Sequence, residues 1–344
     1  MTTHKRPSAE NPPHALARPA LTRRTLVAGA ALATLAASEP ASAQRCPAAP
    51  SRTKGPAVWL DLDQQALDEA YDQSVYAFNQ NNISERRRAN SEAVLKLIGP
   101  PERVAYGPSD IEKLDIYRSK RADAPVNIFV HGGAWRGGKS SDSAYLAEPY
   151  TKAGAHFVVL DFNNALETGG DIFPMYEQVR RAVVWVYRNA KSFGGDPDRL
   201  YLTGHSSGAH LGGCLVTSDW AKDGLPADII KGALLGSGMY DLKPVRMSRR
   251  SSYVKFTDAM EQELSAQRHL DRLHTPLILT YGTLETPEFQ RQTHDFYEAV
   301  KAAGKPVQLL VGKGYNHYET QETLGNPYGF MGRAAMAMLK LNTA

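Results

Sequence analysis

The sequence predicts an α/β fold, with a mostly parallel, eight-stranded sheet and helices on both of its faces. Three observations carry this prediction. From residue 126 onward, short and nearly continuous apolar runs alternate with long helical stretches, as strands covered on both faces require. Ahead of them, Arg103–Tyr106 and Ile111–Tyr117 read as an antiparallel pair, the second setting Leu114 and Ile116 alternately with polar residues. No internal repeat or low-complexity tract interrupts the alternation, so one sheet serves the whole region.

Taken in chain order, residues 64–78 and 84–98 read as two helices, with Leu67, Ala70, Tyr71 and Val75 at helical spacing. They form the helical part of an N-terminal lid or extension over residues 44–100. The buried strands expected are Val126–Val130, His156–Asp161, Leu200–Thr203, Ile229–Leu235, Pro276–Tyr281 and Val307–Val311. Helices are expected at 142–153, 174–193, 206–218, 287–302 and 328–341. The fourth has a defined start, with Thr286 as N-cap and Pro287 in its first turn, and Gly304 lies just past its end.

Residues 1–43 have a different character. Arg23-Arg24 precede a mildly apolar run, Leu26 to Ala37, which is too short to span a membrane and leads to the small-residue site Ala41-Ser42-Ala43. This order reads as a removable export signal, and Thr22-Arg23-Arg24-Thr25-Leu26 resembles a twin-arginine signal, which implies a periplasmic or secreted protein. The remainder, 44–344, is then a single domain with no membrane span. The chain's formal net charge is +4, and the leader's five basic and two acidic residues carry most of it. The rest has no basic stripe of the kind nucleic-acid binding needs, and Arg86-Arg87-Arg88 reads as a solvated helix face. With only two cysteines, Cys46 and Cys214, there is no disulfide framework; Cys214 reads as core, and pairing of the two stays open. The histidines lack metal-ligand spacing, so no metal is expected.

The chemistry is carried by an ordered set of motifs. Gly204-His205-Ser206-Ser207-Gly208 stands where a strand turns into an apolar helix, and a tight turn there exposes a serine hydroxyl for attack. The flanking glycines leave the crowded backbone free of Cβ atoms. His131-Gly132-Gly133-Ala134-Trp135 follows an earlier strand, and backbone N–H groups of Gly132, Gly133, Ala134 and Ser207 are candidates to stabilise a developing oxyanion. His317, after the last strand, is the candidate base. Glu285, in the loop after the penultimate strand, is the candidate acid, with Asp241 in reserve. Glu288 has a competing explanation as a first-turn charge favouring the helix dipole. Trp135, Phe162, His205, Met239, Tyr240 and Tyr318 adjoin these loops in sequence and are candidate substrate contacts, giving a pocket that is apolar and aromatic on one side.

These motifs, with Gly238-Met239-Tyr240-Asp241-Leu242 and Thr286-Pro287-Glu288-Phe289-Gln290-Arg291-Gln292, resemble the arylformamidase-like (kynurenine formamidase-like) branch of the α/β-hydrolases, close to the HGG-type carboxylesterases, over residues 105–340. The resemblance implies a cofactor-free Ser206–Glu285–His317 triad, although the family's acid is commonly Asp and its members are usually cytosolic. The expectation is an exported carboxylesterase acting on small aromatic or xenobiotic esters, such as herbicide esters. An amidase or arylformamidase with the same triad is the first alternative, and a binding module without turnover the second.

Overall fold

A computed structural model describes residues 53–341, so the export signal expected over residues 1–43 and the neighbouring Cys46 lie outside the described residues. The described chain opens with a short hairpin, β1 (Ala57–Trp59) and β2 (Leu62–Asp63). Asp63 then caps α1 (Gln64–Ala70) by accepting from Ala66 N at 2.9 Å. The first expected helix stops at Ala70, because Asp72 redirects the chain into a single 3₁₀ turn, Gln73–Val75. The second runs as α2 (Gln80–Ile98) and ends at Gly99 with φ 84°, a conformation that glycine adopts without strain.

The large sheet begins with β3 (Glu102–Ala105) and β4 (Lys113–Tyr117), paired antiparallel as expected. Then follow β5 (Ala124–Val130), α3 (Ala147–Lys152), β6 (His156–Leu160), α4 (Phe173–Asn189), β7 (Gly195–His205), α5 (Ser207–Val216) and β8 (Ile230–Gly236). A region of short helices comes next, including α6 (Leu242–Met247) and α7 (Asp258–Glu263), which the sequence reading did not anticipate. The chain closes with β9 (Leu277–Gly282), α8 (Pro287–Ala302), β10 (Val307–Gly312), α9 (His317–Glu322) and α10 (Phe330–Met338). The eight strands lie in the order β10-β9-β8-β7-β5-β6-β4-β3, parallel from β10 to β6.

Side-chain alternation divides the core. Ile128, Val158, Leu200 and Leu202 point to the face that buries Val179 and Val183 of α4, Leu211 of α5 and Phe296 of α8. Phe129, Phe157, Val159 and Tyr201 point to the other, where Tyr150 of α3 and Met331 and Ala335 of α10 cover them. This two-residue period explains why the strands read as continuous apolar runs. Cys214 is a buried free thiol of α5. Among the described residues no helix is long and apolar enough to cross a membrane.

The strand order also locates a crevice. After β5 the chain goes to β6 on one side and then returns to β7 on the other, so the loops leaving β5 and β7 diverge at their C-terminal ends. Those two loops carry the HGG segment and Ser206. Helix α5 starts hard against β5: a Cβ on Gly208 would come 2.1 Å from Val130 O and 2.5 Å from His131 O. Gly208→Ala should therefore force the helix off the sheet and cost about 2–3 kcal/mol, or roughly 3–5 °C in Tm for a domain of this size. Thermal unfolding of the variant beside the parent protein checks this, and an unchanged Tm would show that α5 does not approach β5 so closely.

Candidate active site

Ser206 occupies the turn between β7 and α5 with φ 59° and ψ −128°, a left-handed conformation that costs a non-glycine residue of order 1–3 kcal/mol. Neighbouring backbone holds it there. Ser206 N donates to Gly236 O at 2.9 Å, and His210 N donates to Ser206 O at 3.0 Å. A Cβ on Gly204 would lie 2.7 Å from Gly208 O, which accounts for the other glycine of the pentapeptide. Ser206 is buried, yet it lines a cleft of about 910 Å³ together with His205, His317, His131, Gly132 and Gly133.

The HGG loop lies directly against this turn. A side chain at Gly132 would meet His205 O at 2.8 Å and the Ser206 Cβ at 3.0 Å. Gly133, Ala134 and Trp135 follow with φ of 126°, 56° and 61°, so three successive residues hold positive φ. Two anchors maintain that strain: Trp135 N donates to Ser207 Oγ at 3.3 Å, and Trp135 Nε1 donates to His210 Nδ1 at 3.1 Å. Since His210 Nδ1 accepts, Nε2 carries the proton and donates to Leu264 O at 2.9 Å. Burial lowers the His210 pKa to about 4, which keeps that tautomer neutral.

Glu285 is wholly buried in the turn between β9 and α8. Its Oε2 lies 2.8 Å from His317 Nδ1. Its Oε1 accepts from Ser237 Oγ at 2.6 Å and from Gly282 N at 2.7 Å. Burial pushes the Glu285 carboxyl well up from the usual range, while the charge of nearby His205 and the Ser237 and Gly282 donors act against it. His317 stands at the start of α9, just after the N-cap Asn316, whose side chain accepts from Tyr318 N and Glu319 N. Burial pushes the His317 imidazole far below its ordinary pKa, and the Arg250 and Arg87 guanidiniums add to the effect. A neutral imidazole that donates Nδ1–H to a carboxylate keeps Nε2 free to take a proton.

The reserve acid is engaged elsewhere: Asp241 caps α6 through Lys243 N and pairs with Arg268 at 2.9 Å. Glu288 is more than a first-turn charge. It is buried, accepts from Arg291 at 2.7 Å through both oxygens, and takes the Tyr71 hydroxyl at 2.9 Å.

The expected aromatic wall is a correction. Trp135 is spent anchoring the HGG loop, and Phe162 lies behind that loop, stacked on His131 with ring centroids 4.4 Å apart. Met239 is fully buried in the core, and Tyr240 stacks on Phe296 at 4.2 Å. None of the four lines the cleft; of the six candidates, Tyr318 and His205 do. The His205 ring is 4.6 Å from that of His317, and its Nε2 meets Thr320 Oγ1 at 3.0 Å. The wall is polar instead, with Tyr71 and Gln73 from the N-terminal segment, Arg87 of α2, and Arg250 and Tyr253 beyond α6. Gln73 reaches the acid loop, lying 3.5 Å from Glu285 Oε2 and accepting from Thr286 N at 3.3 Å. Sequence reasoning missed Ser237, Gln73, Arg87 and Arg250. Among the described residues no group of His, Cys, Asp and Glu could hold a metal ion.

A family model described as BD-FAE matches residues 114–231. A kynurenine formamidase of Danio rerio is 33% identical over 228 residues, covering 64% of this chain and 75% of that protein. The chain belongs to the kynurenine formamidase-like branch of the α/β-hydrolases. As a member of this branch it is a hydrolase. An isoprenylcysteine alpha-carbonyl methylesterase of Arabidopsis thaliana is 26% identical over 238 residues, 62% of this chain and 55% of that protein. A solved esterase of Pyrobaculum calidifontis shares the fold with a TM-score of 0.61 at 17% identity, over 80% of this chain and 97% of that one.

The electrostatics of His317 make a kinetic prediction. A base must be neutral to accept a proton, and the pKa of His317 lies below the histidine value of 6.5, so acidification through the ordinary histidine range leaves it ready to act. For an aryl ester, the fall in kcat/KM that belongs to His317 should lie below pH 6.5, and a fall near pH 7 should belong to the Glu285 carboxyl, which burial raises to about 7, and be absent from the residual activity of Glu285→Gln. A half-fall at or above pH 6.5 that persists in Glu285→Gln would contradict this.

Proposed function

We propose that this hydrolase cleaves small carboxylic esters through an acyl-enzyme, with Ser206 as nucleophile, His317 as general base and acid, and Glu285 as the group that orients His317. The observation that carries this reading is the 2.8 Å contact between His317 Nδ1 and the buried Glu285 carboxylate, on the same cleft as a serine held at positive φ. Ser206 Oγ attacks the carbonyl carbon while His317 Nε2 takes its proton. The negative oxygen that forms is met by the backbone N–H groups of Gly133, Ala134 and Ser207, the kind of preorganised donors whose loss costs about 10²–10³ in rate each. His317 then delivers its proton to the departing alcohol, water enters, and the same steps in reverse free the acid. Glu285 supplies the longer carboxylate where Asp is common, and Ser237 and Gly282 fix its position.

The relative in Danio rerio named a kynurenine formamidase favours a second reading, cleavage of an aryl formamide by the same groups. Paired phenyl acetate and formanilide separate the two: the ester reading expects the ester to react at least about tenfold faster, and the reverse order would favour the formamidase. Ser206→Ala should remove turnover of both by on the order of 10⁴–10⁶, with the circular dichroism spectrum unchanged. Retention of a tenth of the rate would sink the assignment.

The order of charge, apolar run and small-residue site in residues 1–43 supports action outside the cytoplasm. Replacing Arg23-Arg24 by Lys-Lys should hold the protein in the cytoplasm of a bacterial host that exports the unaltered chain. Continued export of the variant, followed by cell fractionation, would refute a twin-arginine route.

A further inference from the structure

We infer that the cleft selects substrates that carry a carboxylate, and that Arg250, assisted by Arg87, is the group that holds it. The inference rests on the hydrolytic reading above and names the substrate class of that same cleft.

Arg250 is buried, with 8% of its surface exposed. A guanidinium keeps its charge wherever it is placed, and a buried charge is costly unless it is paired. No ion pair to Arg250 occurs among the described residues. Its two hydrogen bonds go to neutral oxygens, Tyr71 O and Tyr253 Oη, each at 2.9 Å. Of the five N–H groups a guanidinium carries, this leaves three without a hydrogen-bond partner, and Nε is buried with none. The rest of its support is aromatic: Cζ lies 5.5 Å from the Trp135 ring and 5.9 Å from the Phe289 ring. The Phe289 ring also packs edge-on against His317 at 5.0 Å, so the unpaired cation and the base share one ring.

Arg87, from α2, is a second cation on the cleft. It donates to the carbonyl of Tyr318, the residue after His317, and its Nε is likewise buried without a partner. It too forms no ion pair among the described residues.

None of the carboxylates lining the cleft pairs with Arg250 or Arg87, and three of them are turned to backbone donors. Asp68 accepts from Arg249 N, Asp72 from Ser74 N, and Asp142 from Lys139 N. A fourth, Glu92, pairs with no cation among the described residues. Two cations beside the general base, one of them buried, lower its basicity, and a neutral ester brings no charge of its own to pair with them. A bound carboxylate reverses that. It pairs with the guanidiniums, cancels their field at His317, and raises the proton affinity of the base when the substrate is in place. A charge-assisted contact of this kind is worth enough to shift selectivity by about tenfold or more.

The test uses the whole chain and two pairs of esters of matched shape. The first pair, 4-carboxyphenyl butyrate and 4-carbamoylphenyl butyrate, places the anion on the alcohol side. The second, mono-4-nitrophenyl adipate and its methyl ester, places it on the acyl side. In at least one pair the anionic ester should have the larger kcat/KM by about tenfold or more. Arg250→Met, which keeps an apolar chain against Trp135 and Phe289, should erase most of that preference, and Arg250→Lys should retain part of it. Arg87→Met gives a second reading if Arg250→Met does not fold. Raising the salt concentration should also shrink the preference in the unaltered enzyme. Equal rates within both pairs, or a preference that survives both methionine variants, would overturn the inference while hydrolysis through Ser206 stood. Turnover of the neutral esters that persists in Ser206→Ala would instead bring down the hydrolytic reading on which it rests.

Discussion

The buried carboxylate of Glu285 is the point on which the site depends. Burying a carboxylate is expensive unless donors surround it, and the donors come from widely separated parts of the chain: Gly282 at the end of β9, Ser237 just after β8, and His317 at the start of α9. Gln73, from the N-terminal segment, lies within 3.5 Å of the same group. One acidic side chain thus fixes the ends of neighbouring strands and the face of the imidazole. Loss of any donor leaves the charge less compensated, so the loops hold one another in register. Ser237 pays in conformation for its part, with φ 54°, the sort of local strain that surrounding structure must over-determine.

The second constraint is the place where the strand order reverses. Because the chain leaves β5 in one direction and β7 in the other, the HGG loop and the Ser206 turn meet side by side at the mouth of a crevice that the topology itself creates. Close backbone approach then decides the residues. Gly132 has no room for a side chain beside Ser206 Cβ, nor Gly208 beside Val130 O. Ala134, Trp135 and Ser206 all hold positive φ, and two hydrogen bonds from Trp135 to Ser207 and His210 of α5 pin the HGG loop there.

What could be read from the sequence was local. The strands from β5 to β9 showed themselves as apolar runs because both of their faces are covered, whereas β10, expected to be buried, is a partly exposed edge strand; the glycine pairs around Ser206 and after His131 marked the two crowded turns. Glu285 could be placed because a loop after the penultimate strand offered it ahead of a helix that already had its own acidic residue. What could not be read was anything that depends on a distant partner. Ser237 and Gln73 reach Glu285 across 48 and 212 residues, and a serine or glutamine at such a distance carries no local mark. Arg250 lies in a region of short helices with weak periodicity, so its burial was invisible. Trp135, Met239 and Tyr240 mislead for a related reason: nearness in sequence to a catalytic loop does not say to which side a side chain turns, and these turn into the core. The cleft is consequently polar and cationic where an apolar one was expected.

The claim at the centre of this account is that burial keeps His317 neutral while Glu285 fixes its proton on Nδ1 and leaves Nε2 free. Nitrogen-15 NMR of the histidine-labelled protein at neutral pH reads this state directly, with the His317 resonances identified by their loss in His317→Gln. The account predicts the neutral Nδ1–H tautomer, shifting toward a tautomeric mixture in Glu285→Gln. A His317 ring that is protonated on Nε2 alone or is fully imidazolium at that pH, or one indifferent to the Glu285 substitution, would contradict it.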